Sequence, residues 1–233
     1  VKPARALAPL DFKRKRLLIY DLDGTLVDTR ADIADAANYM RVQHGLIPLD
    51  DEKIWKFVGK GLFHLIQQCL ATEDPKAIRR GAKIYRNYYT KHMLDKSKLY
   101  AGARECLELF KGLRQTVITN KPNPYAETIL KELYAYRYLS RLVAGDHEFP
   151  FKPDPASTLA LMESAKVTAQ ETLWIGDSDV DIETARAAGV HVIVLSHGFV
   201  SKEKLKAAKP DRLFKDFRAL INAAKLDLFG GTP

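Results

Sequence analysis

Residues 16–29 read RLLIYDLDGTLVDT, and four apolar residues in a row, Leu17 to Tyr20, run straight into two aspartates one residue apart. A run this short and rich in β-formers predicts a strand buried on both faces. Ending it in Asp21 and Asp23 is costly, because a desolvated carboxylate must be offset by a cation or by hydrogen bonds. Whatever fold the chain adopts must bring positive charge or donors to this one strand end.

From residue 100 onward, short apolar runs alternate with helical patterns. QTVIT (115–119), RLVAG (141–145), TLWIG (172–176) and HVIVL (191–195) read as strands, and RLF (212–214) as a weaker one. Between them GARECLELFKG, NPYAETILKELYA, DPASTLALMESAK and DIETARAAG have helical spacing, as does a closing segment near 216–226. Strands and helices alternating at this spacing predict an α/β fold, a parallel sheet with helices on both faces. Residues 30–98 carry helical patterns only: TRADIADAANYMRVQHG with Gly45 suited to its C-terminal cap, DEKIWKFV, GLFHLIQQCLA, and DPKAIRRGAKIYRNYYTKHM with Pro75 near its start. The expected organisation is therefore a core domain of residues 16–29 and 99–228, an α-helical domain of residues 30–98 inserted into it, and a basic N-terminal extension over residues 1–15. An insertion at that point lies beside the carboxyl ends of the strands, where open α/β sheets bind ligands. It is placed to act as a lid, with hinges near 28–30 and 97–101.

Charge narrows the partners. The chain of 233 residues has a formal net charge of +8. Residues 1–16 supply net +5 and residues 201–218 net +4, so the remainder is close to neutral. This pattern reads as solvated ends rather than as a nucleic-acid-binding face, and no nucleic-acid partner is expected. No apolar run approaches the roughly 18 residues of a membrane span. Cys69 and Cys106 fall in helical patterns and read as core thiols of a cytoplasmic protein.

A parallel sheet gathers its polar residues along one edge. Asp21 ends the first strand, Thr119 and Asn120 end QTVITN, Lys152 follows RLVAG in FPFKPDP, and Asp177 ends TLWIGD with Asp179 and Asp181 beyond it. Clustered carboxylates repel one another unless a cation offsets them. An oxygen-only set without His or Cys nearby points to a hard divalent ion, Mg²⁺ being the usual one. A lysine with a Thr/Asn pair opposite such a cluster complements a phosphoryl group.

DLDGTLVDT, VITN, FKPDP and IGDSDVD, in this order and at these distances, resemble the four motifs of the haloacid dehalogenase (HAD) superfamily, and the resemblance spans about residues 16–225. It implies a Rossmann-like core with a helical cap. FVGKGLFHLI, TNKP and GDHEFPFKPDPAS look most like phosphoglycolate phosphatases within the helical-cap subgroup. By that resemblance Asp21 is the nucleophile that forms an aspartyl-phosphate, and Asp23 is the general acid and then the base, displaced by a turn that Gly24 permits. Thr119 and Asn120 hold the phosphoryl oxygens, and Lys152 neutralises charge on nucleophile and phosphoryl group. Mg²⁺ is held by the Asp21 carboxylate, the Asp23 backbone carbonyl and Asp177, with Asp181 orienting the metal's surroundings. The implied reaction is Mg²⁺-dependent hydrolysis of a small phosphorylated metabolite, 2-phosphoglycolate being favoured, by a monomer or homodimer. The alternatives are a phosphosugar mutase of the same architecture, which returns the phosphoryl group to its substrate, and a phosphatase of the same superfamily with another specificity. In the helical block, the glycines flanking Lys60 let the backbone approach a ligand, which makes Lys60 and Gly61 candidates for binding a remote anionic group of the substrate. His64 is a further candidate contact, Tyr85, Tyr88 and Tyr89 read as packing residues, and Lys121 receives no role.

Overall fold

The structure, a computed structural model, describes residues 9–230. Its strands are β1 (Leu17–Tyr20), β2 (Val27–Asp28), β3 (Lys98–Leu99), β4 (Arg114–Ile118), β5 (Arg141–Val143), β6 (Thr172–Gly176), β7 (His191–Leu195) and β8 (Arg212–Phe214). The helices between β2 and β3 are α1 (Arg30–Gln43), α2 (Asp51–Trp55), α3 (Leu62–Leu70) and α4 (Pro75–His92). Those that follow are α5 (Ala103–Leu109), α6 (Tyr125–Glu132), α7 (Ala156–Ala165), α8 (Asp179–Ala187), α9 (Lys202–Ala207) and α10 (Phe217–Phe229).

Six strands form one parallel sheet in the order β5-β4-β1-β6-β7-β8. The chain leaves β1 toward β4 and β5, then returns to build β6, β7 and β8 on the other side. β1 is therefore the switch point of the sheet, and its carboxyl end opens into the crevice where such folds bind ligands. All four β1 residues are buried. Leu18 and Tyr20 join the apolar cluster on one face, and Leu17 and Ile19 the cluster on the other. The same division splits β7, with Ile193 and Leu195 on the first face and Val192 and Val194 on the second. A two-residue alternation of apolar side chains is thus buried twice over. Each such large side chain contributes about 1.5–3 kcal/mol relative to its exposed state.

The helical insertion packs through α1 and α4. Gly81, in mid-α4, is the contact point: a Cβ there would meet Leu70 at 2.8 Å, Ile66 at 2.9 Å and the Met40 sulfur at 3.0 Å. Glycine costs about 1 kcal/mol against alanine in a helix, and here it lets α4 lie against α1 and α3. Two chain segments connect insertion and sheet, and β2 and β3 pair them antiparallel, Val27 with Leu99 and Asp28 with Lys98. Lys98 therefore belongs to a strand, and the last helix before it ends at His92. The buried carboxylate of Asp32 fastens the return segment, accepting from the Ser97 amide at 2.8 Å and the Ser97 hydroxyl at 2.6 Å. Ile33, Met40 and Tyr89 share one apolar cluster with Leu18 and Tyr20 of the sheet, so the core is continuous across residues 30 and 98.

The basic N-terminal extension falls partly on residues 1–8, outside the described residues. In its remainder Lys13 and Arg14 are exposed as expected, but Phe12 and Lys15 are buried. Phe12 is buried against Phe110, ring centroids 6.1 Å apart, and its amide donates to Asp227 at 2.6 Å. Lys15 is buried and donates to the carbonyls of Gln170 at 2.6 Å and Thr172 at 3.0 Å. Both expected core thiols, Cys69 and Cys106, are free and buried. No described helix is long and apolar enough to cross a membrane.

Candidate active site

Four strands of the parallel sheet deliver the polar residues to one edge. Asp21 follows β1, Thr119 and Asn120 follow β4, the loop after β5 brings Lys152, and Asp177 follows β6. All five line a single cavity of about 510 Å³, together with Asp23, Lys60 and Gly61.

Lys152 answers the electrostatic problem posed by β1. Only 5% exposed, its Nζ lies 2.9 Å from Asp21 Oδ1 and 2.8 Å from Asp181 Oδ1. Burial alone would discharge this ammonium, but the Asp181 and Asp21 carboxylates outweigh it and raise its pKa above the ordinary lysine value. Asp21 is pushed toward its neutral form. Burial, then repulsion from Asp181 and Asp23, raise its carboxyl to about 7 despite Lys152. Asp21 Oδ1 also accepts from the Leu22 amide at 2.7 Å. Its Oδ2 accepts no hydrogen bond among the described residues. One oxygen is anchored and the other is open.

Asp177 is buried and held by the Thr25 hydroxyl at 2.8 Å and the Phe199 amide at 2.9 Å. Burial, then the Asp181 and Asp21 charges, push its pKa well above the carboxylate range. Oxygens of Asp21, Asp177 and Asp181 lie within 4.8 Å of one another. One lysine among three buried carboxylates leaves the group short of positive charge. The set is all oxygen, which suits a hard divalent cation. Glycines make room for it. Gly24, at φ +83°, and Gly198 both lie where a Cβ would run into the Asp177 carboxylate, and a Cβ on Gly176 would run into Asp181. The residues present therefore fit a hard divalent cation, the class to which Mg²⁺ belongs. Asp23 contributes no side-chain oxygen to that group.

Asp181 has more than one task. As the third residue of α8 it closes a capping box with Ser178, accepting from the Ser178 hydroxyl at 2.6 Å and amide at 3.1 Å. Its other oxygen takes Lys152 and the Trp174 indole at 3.3 Å. Asp179 stays on the rim, paired with Lys204 at 2.9 Å.

Asn120 and Lys121 make contacts that the sequence did not assign them. The Asn120 amide donates to the carbonyls of Gly59 at 2.8 Å and Lys152 at 3.0 Å, and its oxygen accepts the Lys152 amide at 2.9 Å. Both donors are occupied, so the side chain ties loops together and has no N–H left for a phosphoryl oxygen. Thr119 Oγ1 accepts from the Lys121 amide at 3.2 Å, which leaves its hydroxyl proton for a ligand. Lys121, given no role from the sequence, is 9% exposed and pairs with Asp23 at 3.0 Å. The available signal was its position directly after Thr119 and Asn120, at the same strand end. Lys60 is exposed on the cavity rim, and Gly61 precedes α3 with φ +89°. His64 lines the same rim, its pKa lowered by burial and by Lys60.

The model of the haloacid dehalogenase-like hydrolases matches residues 18–195. A phosphoglycolate phosphatase of Pseudomonas syringae pv. tomato is 34% identical over 218 residues, covering 90% of this chain and 79% of the relative. One from Chromobacterium violaceum is 33% identical over 205 residues, covering 85% of this chain and 92% of the relative. Among solved structures, a predicted phosphoglycolate phosphatase from Haemophilus somnus superposes with a TM-score of 0.86 at 26% identity, covering 90% of this chain and 98% of that one. A strand-end cluster of carboxylates around one lysine, and a match over the whole span that builds it, lead to one conclusion: this chain belongs to the haloacid dehalogenase-like hydrolases.

Proposed function

We propose that this chain, a phosphatase by family and relatives, hydrolyses a small phosphate monoester through an aspartyl-phosphate at Asp21, with 2-phosphoglycolate as substrate. The observation that carries the reading is the Lys152 ammonium bridging Asp21 and Asp181 beside the buried Asp177. Such a site offers the phosphoryl group one ammonium, has room among its carboxylates for a cation, and presents one carboxylate oxygen to phosphorus.

Asp21 Oδ2 forms the new bond to phosphorus as the ester oxygen departs in line. Asp23 donates a proton to that leaving oxygen. It then takes a proton from the water that attacks the aspartyl-phosphate, releasing inorganic phosphate and restoring Asp21. Lys152 and the Thr119 hydroxyl offset charge on the phosphoryl oxygens. Asp21 and Asp177, with Asp181 and the Asp23 carbonyl beside them, would hold Mg²⁺, which supplies the positive charge that the carboxylate cluster and phosphoryl group both require. Lys60 at the rim meets the carboxylate of the substrate.

The helices of residues 30–98 act as a cap on the core of 16–29 and 99–228. They exclude water while the phosphoryl group transfers and admit it for the second step. The names of the relatives support the substrate, and the two buried free thiols support a cytoplasmic location. The enzyme acts as a monomer or homodimer.

The test is phosphate release from a panel of small esters, with and without Mg²⁺. Metal-dependent release that is fastest on 2-phosphoglycolate is expected. Equal rates across the panel would overturn the substrate, and isomerisation without phosphate release would replace hydrolysis by mutase chemistry.

A further inference from the structure

Lys121 carries a buried charge that none of these steps uses. Its ammonium lies 3.0 Å from Asp23 Oδ1 and 3.3 Å from Asp23 Oδ2, and 2.7 Å from the Tyr89 hydroxyl. It also stands 4.7 Å above the centroid of the Tyr89 ring. Tyr89 belongs to α4 in the insertion, is 1% exposed, and is itself held by stacking on Tyr85 at 5.3 Å and an edge contact with Tyr125 at 5.4 Å. From the other side the Thr29 hydroxyl donates to Asp23 Oδ1 at 2.7 Å.

A lysine has three N–H donors, and these are occupied by the two Asp23 oxygens and the phenol. Lys121 therefore has none left for a phosphoryl oxygen. A buried ion pair is weak evidence of a stabilising role, because desolvation offsets the attraction. What the arrangement does supply is direction. The Asp23 carboxylate is gripped at both oxygens by groups from the β4 edge and from the start of α1, with the ammonium anchored in turn by the insertion. Rotation of the carboxylate breaks at least one of these bonds.

We infer that Lys121, anchored by the Tyr89 hydroxyl, is a positioning residue that holds the Asp23 carboxyl in register with the leaving oxygen of the substrate. The inference rests on the phosphatase reading, with Asp23 as the acid. General acid catalysis contributes about 10²–10⁴-fold, and it matters for an alkoxide leaving group far more than for 4-nitrophenolate, which departs without a proton. A residue that only supports the fold changes both reactions alike.

The experiment measures kcat/KM for 2-phosphoglycolate and for 4-nitrophenyl phosphate, each with Mg²⁺, in wild type, Lys121→Met, Tyr89→Phe and Asp23→Asn. kcat/KM reports the steps through departure of the leaving group, so the later water attack does not confuse the comparison. For Lys121→Met the ratio of the two values should fall about tenfold or more against the alkyl ester. Tyr89→Phe, which removes one hydroxyl and keeps the ring, should shift it the same way by roughly fivefold. An equal loss on both esters, or no loss, in both variants while Asp23→Asn remains selective overturns the inference alone. If Asp23→Asn also loses both equally, the assignment of Asp23 as the acid falls, and Lys121 has no acid to position. If wild type releases phosphate from neither ester, the phosphatase reading fails first.

Discussion

The two ends of the cavity are built on opposite principles. At the sheet end the charged groups are largely withdrawn from solvent, Lys152 paired with Asp21 and Asp181 and Lys121 with Asp23, while Asp177 is held by hydrogen bonds from Thr25 and Phe199. At the rim, Lys60 is exposed, and Lys204 pairs with Asp179 across solvent, their side chains 62% and 37% exposed. Exposed pairs contribute only about 0–1 kcal/mol, whereas removing one partner of a buried pair costs about 3–5 kcal/mol. The buried end is thus costly to alter, and the proposed chemistry is placed there. The rim can change its residues at little cost to folding, and the proposed selection of substrate is placed there.

Changes at the buried end should have the largest effects. Asp21→Asn keeps the shape but removes the nucleophile, and phosphate release should fall on the order of 10⁴-fold or more, read in a steady-state assay. Lys152→Met leaves Asp21, Asp177 and Asp181 with no protein cation. Turnover should drop about 10²–10³-fold, and thermal denaturation without metal should show a stability loss of about 3–5 kcal/mol, part of it recovered with Mg²⁺. A Lys152→Met protein as active as wild type would break the contrast between the two ends.

A pH series sharpens the same contrast. The Asp21 carboxyl is raised from an ordinary 3.8 to about 7 in the folded state. Between these values the folded chain holds a proton that the unfolded chain has lost, so stability falls as pH rises. In metal-free buffer the melting temperature of wild type should therefore decline relative to Asp21→Asn between pH 4 and pH 7. Saturating Mg²⁺ should flatten that difference, because it favours the ionised carboxylate. The smallest effect belongs to the rim: Lys60→Ala should raise KM for 2-phosphoglycolate by roughly two- to tenfold with kcat nearly unchanged. A collapse in kcat there would show that the rim takes part in the chemistry.

What was legible in the sequence follows the same division. β1, β6 and β7 announce themselves because burial on both faces demands largely apolar runs, β4 by β-formers ending in Val117 and Ile118, and their ends name Asp21, Thr119 and Asp177. β2 and β3, two residues each, are too short for any periodicity to register, though they pair the two connections to the insertion. Asn120 was found at the site, but its part in tying loops together was not legible, since only the fold brings the Gly59 and Lys152 main chains to its side-chain amide. Lys121 looked like one basic residue among many, and its worth depends on Tyr89, 32 residues away in another element. Phe12 and Lys15 sit in a basic stretch whose composition says nothing of the buried contacts they make.

The central claim is that the open oxygen of a buried, charge-compensated Asp21 takes the phosphoryl group. Acid-quenching the Mg²⁺ enzyme during turnover of 2-phosphoglycolate, reducing acyl phosphate with borohydride and mapping peptides by mass spectrometry tests it directly. Homoserine at position 21, dependent on substrate and absent from Asp21→Asn, is the predicted result. Turnover with no modification at position 21, or with homoserine at another aspartate, would contradict the account.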